Sequence, residues 1–126
     1  MEQPLIDIVR KFIEAYNSLD IDGMLSLLHP DVDFINISGG KVDAVTKGKI
    51  EFEELARKSA SLFTSREQKI ISIEEAASVV KTEIEYHAIL AEDLPTGMKK
   101  GDHIEIRGRS EYNIKDNLII SIKDIS

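Results

Sequence analysis

Residues 12–36 read FIEAYNSLDIDGMLSLLHPDVDFIN and fit two helices and a strand with almost no spare residues. Asp20 is the hinge of this stretch. Before it, Leu5, Ile6, Val9, Phe12, Ile13, Tyr16 and Leu19 recur at helical spacing. That spacing predicts one apolar stripe along a helix of about four turns. Pro4 suits its first turn, where a missing N–H costs little. A second helix is predicted over residues 21–28. Asp20 is its N-cap, because a carboxylate accepts from the free N–H groups of a first turn. Asp22 places negative charge near the positive helix end. Met24, Leu25, Leu27 and Leu28 form the inner side. His29-Pro30-Asp31 is expected to end this helix, since proline disfavours helical geometry in the residue before it. His29 then sits at the helix C-terminus and Asp31 in a turn. Val32, Phe34 and Asn36 alternate with Asp33 and Ile35 as a strand.

The rest of the chain alternates between glycine-marked loops and regular segments. Residues 38–41 read SGGK and form a loop, and residues 42–47 fit either a short strand or an irregular lid. A third helix is predicted over residues 49–63. Its inner stripe is Phe52, Leu55, Ala56, Ser59, Leu62 and Phe63. Its outer side, Glu51, Glu53, Glu54, Arg57 and Lys58, reads as a solvated face. From Arg66 the period becomes two. Residues 69–75 form a strand with Ile71 and Ile73 on one face. Residues 79–90 form a longer one with Val80, Thr82, Ile84, Tyr86, Ala88 and Leu90 inward. Residues 91–101 are a mobile tip. The chain returns over residues 102–115 with Ile104, Ile106, Gly108, Ser110, Tyr112 and Ile114 inward. Asp116-Asn117 is a tight turn into the last strand, residues 118–125. A symmetric long loop sets Tyr86 opposite Gly108, and Glu83 or Glu85 opposite Arg107 or Arg109. The order of elements predicts an α+β class, with a curved antiparallel sheet wrapped around three helices.

A chain of 126 residues is expected to form a single domain, 1–126. It has no cysteine, so disulfides and thiolate metal sites are excluded. A net charge of −7 argues against nucleic acid, whose phosphates demand a basic patch. No apolar run reaches membrane-spanning length, and no basic segment leads into an apolar one, so no membrane span or secretory signal is expected. The expected location is cytoplasmic. The three histidines, His29, His87 and His103, have no metal-ligand spacing. No metal or cofactor is expected. Glycine-rich phosphate loops and the Gly-x-Ser-x-Gly elbow are absent from the sequence.

The helix FIEAYNSLD, the passage IDGMLSLLHPDVDF and the glycine-then-helix KGKIEFEEL resemble the nuclear transport factor 2-like superfamily, in particular its SnoaL-like and ketosteroid-isomerase-like branch. The resemblance covers nearly the whole chain. It implies a cone-shaped, cystatin-like roll with an apolar cavity, and a homodimer formed through the outer face of the sheet. That face carries Glu and Arg side chains with His87, Ile89, Ile119 and Ile125 among them.

The resemblance also supplies a chemical comparison. A ketosteroid isomerase-like site has a first-strand carboxylate base, a helix tyrosine and a protonated strand aspartic acid beside it; that enzyme is itself a standard example of such pKa tuning. In this sequence those positions fall on Asn36, Phe12 and, within a residue or two, Ser110. None of the three can do the corresponding job, although Tyr16, one turn along, restores a donor. SnoaL-like cyclases use an aspartate in the same cavity. The nearest candidate, Asp33, alternates away from the Val32–Phe34 face, as Glu105 and Glu111 do from theirs. The expected pocket lining is Phe12, Tyr16, Phe34, Asn36, Phe52, Tyr86, Ser110 and Tyr112. Three readings are compatible with these residues. The first is a domain that binds a small hydrophobic ligand and has no assigned catalytic residue. The second is an isomerase, cyclase or dehydratase for a small hydrophobic carbonyl compound, with Tyr16 or Tyr112 as donor and Asp33 or Asp43 as base. The third is a protein-interaction module, which would need an exposed apolar patch. A carboxyl group with a raised pKa inside the cavity would favour the second.

Overall fold

The computed structural model describes residues 4–126. Helix α1 (Leu5–Asn17) starts directly after Pro4 and buries Ile8, Val9, Phe12 and Ile13. Leu19 takes a left-handed conformation, φ 57°, which ends the helix and releases the chain into Asp20. The Asp20 carboxylate accepts from the Gly23 N–H at 3.0 Å and caps helix α2 (Ile21–Leu25). This helix is shorter than the pattern predicts. Strand β1 (Leu28–Ser38) already includes Leu28, His29, Pro30 and Asp31. The competing force is burial: Leu28, 1% exposed, docks opposite Ile119 in the sheet. His29 therefore caps no helix; its Nδ1 accepts from the Asp31 N–H at 3.0 Å.

Residues 41–47 form a strand, β2 (Lys41–Lys47), paired with β1. Helix α3 (Lys49–Ala60) turns Phe52 and Ala56 inward. It stops before Leu62 and Phe63, because the aromatic and hydroxylated run from Phe63 enters strand β3 (Phe63–Ala76). Strands β4 (Val79–Leu90), β5 (His103–Lys115) and β6 (Leu118–Ile125) complete one six-stranded sheet in the order β2-β1-β6-β5-β4-β3. The α+β class holds, with a mixed sheet. Every pair is antiparallel except β1–β6. A two-residue turn, Asp116 and Asn117 at φ 55° and 61°, fixes β6 antiparallel to β5. That direction leaves β6 parallel to β1. The core between sheet and helices joins Ile8, Val9, Phe12 and Ile13 of α1 to Val80, Tyr112, Ile114, Ile119 and Ile122 of the sheet.

Two expected details shift by register. Ile71 is 47% exposed while Ile70 and Ile73 pack on the core. The β3–β4 pairing skips a residue between Ile70 and Ser72, so a bulge at Ile71 breaks the alternation. On β5, Tyr86 lies opposite Ile106, and Gly108 lies opposite Ile84. The loop pairing is centred one residue earlier than a symmetric tip would require. The charged pairs are as expected: Glu83 opposite Arg109, and Glu85 opposite Arg107 with an Arg107 Nη2 to Glu85 bond of 2.9 Å. Among the described residues, no helix is long and apolar enough to cross a membrane.

Gly108 has a different purpose from the one its sequence position suggests. A Cβ added there would lie 2.9 Å from the Ile125 carbonyl oxygen. That space is held by β6 backbone, which cannot swing aside as a side chain can. Gly108→Ala gains up to about 1 kcal/mol from lower unfolded-state freedom, but overpacking costs about 1–3 kcal/mol. The expected net result is a loss of about 1 kcal/mol, read as a lower urea midpoint at unchanged slope.

Candidate active site

The concave side of the sheet and the helices enclose a cavity of about 300 Å³. Its framework is aromatic. Phe52 meets Phe12 at 6.4 Å and Phe34 at 5.6 Å between ring centroids, and Phe12 meets the edge of Tyr112 at 6.0 Å. Tyr86 joins Tyr16 at 6.2 Å and Phe63 at 6.3 Å. Such tilted and edge-on pairs hold their rings in place without filling the space between them. Phe12, Tyr16, Phe34 and Asn36 line the cavity, as do Phe52, Tyr86 and Tyr112. Ser110 does not; it lines an adjoining cavity together with Tyr16, Asn36, Tyr86 and Asp124.

Ser110 lies opposite Asp124 across the β5–β6 ladder and donates to its Oδ1 at 2.6 Å. Asp124 is half-buried and its carboxylate lines the cavity. Loss of solvent pushes its pKa from 3.8 up to about 6, and the Ser110 hydrogen bond opposes that rise. Asn36 is the β1 neighbour of Asp124 in the ladder and donates to Asp43 at 2.5 Å. Asp43 is exposed and lines the same cavity. On the opposite wall the Tyr16 hydroxyl donates to the Tyr86 hydroxyl at 2.9 Å, which leaves the Tyr86 proton free to donate inward. Burial raises the pKa of both tyrosines, and of Tyr112, so all three remain neutral donors in the physiological range.

Two polar side chains of β3 complete the wall. Arg66 is 4% exposed and lines the cavity with its guanidinium 3.6 Å from the Tyr16 ring centroid. Its Nε donates at 2.9 Å to the Tyr16 carbonyl in the last turn of α1, which also accepts from the Leu19 N–H at 3.1 Å. Gln68, two residues on, points the same way. Its backbone is fixed by Asn17, which accepts from the Gln68 N–H at 2.7 Å and donates to its carbonyl at 3.2 Å.

The carboxylates considered from sequence lie elsewhere, apart from Asp43. Asp33 is exposed, Glu111 pairs with Lys81 on the outer face, and Glu105 lies 3.6 Å from His87 Nδ1 there. Asp124 and Arg66 escaped the sequence reading. For Asp124 the signal was one of parity. Alternation from Ile125, expected on the outer face, already turns Asp124 inward; Ile119, expected on that same face, is instead 0% exposed in the core, because the β5–β6 pairing jumps from Ile119 to Ser121. Ile120 is the extra residue, and after it Ile122 and Asp124 face inward. For Arg66 the signal was its alternation with Gln68 ahead of Ile70, which an expected strand start at residue 69 hid. Among the described residues, no group of three or more His, Asp or Glu could hold a metal ion.

Comparison with known proteins bears on the family and the fold. The family model for the SnoaL-like domain matches residues 9–122. A proposed polyketide cyclase from Xanthomonas campestris pv. campestris superposes with a TM-score of 0.82 at 18% identity, covering 97% of this chain and 89% of its own. TerC, co-crystallised with polyporic acid, superposes at 0.77 with 18% identity over 98% and 91% of the two chains. An epoxide hydrolase of the LEH-like type from M. tuberculosis gives 0.75 at 19% identity over 96% and 80%. No curated protein sequence matches the chain. The chain belongs to the SnoaL-like domain family.

Proposed function

We propose that the protein is an acid–base enzyme, of isomerase, cyclase or dehydratase type, for a small cyclic carbonyl compound. The observation that carries this reading is Asp124. It is a cavity carboxylate with a pKa of about 6, held by Ser110 and facing neutral tyrosine donors. A base poised near the working pH is what proton transfer from carbon needs. In the proposed step the Asp124 carboxylate removes a proton from the carbon next to the carbonyl. The electron pair of that C–H bond moves into an enolate, and the carbonyl oxygen takes the developing charge. The Tyr86 O–H, polarised by the bond it accepts from Tyr16, donates to that oxygen. Asp124 then returns the proton to the same or a conjugated carbon. Phe12, Phe34 and Phe52 keep water away and hold an apolar ring. The described neighbours, a polyketide cyclase and an epoxide hydrolase among them, support a small-molecule substrate.

The same reading includes a homodimer through the outer sheet face. Glu85, Arg107, Lys81 and Glu111 offer both charge signs there. Each residue that a two-fold axis brings to its opposite-sign mate gains a partner. Sedimentation is expected to give a dimer, shifted toward monomer in Arg107→Glu. A monomeric native protein would remove this part.

Deuterium exchange at the acidic carbon of 2-tetralone, followed by NMR, tests the chemistry. The native protein is expected to accelerate exchange, with the rate rising through about pH 6 as Asp124 ionises and then levelling off. Asp124→Asn keeps an acceptor for Ser110 but cannot take the proton, and is expected to lose at least about 100-fold. Exchange at the buffer rate, or an unchanged rate in the variant, would overturn the reading.

Stability gives an independent check. Asp124 binds its proton more tightly when folded than when unfolded. Folding is therefore least penalised below pH 3.8, and the penalty grows as pH rises to about 6, reaching about 3 kcal/mol. Asp124→Asn removes that penalty. It is expected to raise Tm at pH 7.5 and to change it little at pH 4.

A further inference from the structure

Arg66 carries a full positive charge in a nearly closed environment, 4% exposed. Its contacts are the Tyr16 carbonyl at 2.9 Å, the Tyr16 ring at 3.6 Å and the Met24 sulfur at 4.0 Å. Among the described residues, no carboxylate lies within ion-pair distance of it. The helix-end carbonyl and the ring quadrupole offset part of the cost of burying a cation. Neither replaces a counter-charge, which buried cations generally have. Tyr16 and Met24 both line the cavity, so the guanidinium lies at its wall. Gln68, on the same face of β3, adds a second unmatched group: its Oε1 is buried with no hydrogen-bond partner. One strand therefore sets a cation without a counter-charge and a buried acceptor without a donor in the wall of the same cavity.

We propose that Arg66 and Gln68 form an oxyanion subsite that selects ligands whose apolar ring carries a carboxylate or an acidic enol. The planar fork takes the delocalised oxyanion, and Gln68 takes a hydroxyl next to it. The proposal rests on the reading of this cavity as a small-molecule site and narrows its ligand to an organic acid. Asp124 stands on β6, separated from β3 in the sheet order by β5 and β4. An anionic end at Arg66 therefore leaves the carbon skeleton to extend toward the base.

Benzoate and benzamide, nearly identical in shape and different in charge, test this by calorimetric titration of the native protein. Benzoate is expected to bind at least about tenfold more tightly. Arg66→Met, which keeps the aliphatic stem beside Tyr16, is expected to abolish the preference while still binding benzamide. Arg66→Lys is expected to retain part of it, since the charge remains without the fork. Equal binding of the two ligands by the native protein, no binding of benzoate at millimolar concentration, or a preference that survives in Arg66→Met would each overturn the proposal. The native comparison needs no variant to fold. A protein that exchanges 2-tetralone but does not favour benzoate keeps the acid–base chemistry and loses the subsite; the reverse result keeps the subsite and loses the chemistry.

Discussion

Strand β6 is held on both flanks at one level: Ile122 lies opposite Phe34 of β1 and opposite Tyr112 of β5. Ile122 and Tyr112 are 2% and 1% exposed, so this row cannot slip without exposing the core. The row also fixes the next inward position of the strand. Two residues on, Asp124 lands between Asn36 and Ser110 with its carboxylate toward the cavity. The extra residue at Ile120 sets the parity and the packed row locks it. A bulge alone would only reorient the strand; a bulge followed by a buried aromatic row aims one side chain.

The fold was largely legible because its signals are local. The Asp20 cap, the apolar period of α1, the alternation of β4 and the Asp116-Asn117 turn each determine an element from neighbouring residues. Strands β4 and β6 have the predicted ends. The cavity side of those elements was readable for the same reason, and it brought the aromatic positions together. What local pattern could not give was register. The helix α2 boundary, Ile71, the partner of Gly108 and the burial of Ile119 all depend on which residue of a distant strand lies alongside. A carboxylate near the end of a strand looks like a solvated terminus until its neighbours are known. The comparison with ketosteroid isomerase placed an acid near residue 110, where this chain has Ser110. A carboxylate that lines the cavity stands instead on the next strand, directly across from that serine.

The cavity carries groups that oppose folding. An ionised Asp124 and an unpaired Arg66 both cost free energy in a water-poor space, and the Gln68 oxygen adds a desolvated acceptor. Their supports are specific. The Asn17 clamp fixes the backbone of Gln68, the last turn of α1 holds Arg66, and Ser110 holds Asp124. Each support has a partner that is itself packed against the core. The polar wall is therefore rigid where it is least favourable, which is the arrangement expected of a site kept ready for charge rather than of an ordinary core.

Separation of Arg66 from Asp124 decides what the two can do. Side by side at about 4 Å, they would attract by about 4 kcal/mol at an effective dielectric of about 20. That is about three pKa units, more than enough to cancel the rise of Asp124 from 3.8 to about 6. A paired aspartate would be a weak base and a paired arginine would have no capacity left for a ligand. The strand order keeps them apart: β6 and β3 are three spacings from each other, roughly 14 Å along a flat sheet. Curvature brings the two faces toward the same cavity without bringing the charges into contact. A sheet of this order, wrapped around its helices, thus holds a carboxylate and a cation apart within one small space, which neither a flat sheet nor a direct ion pair would allow.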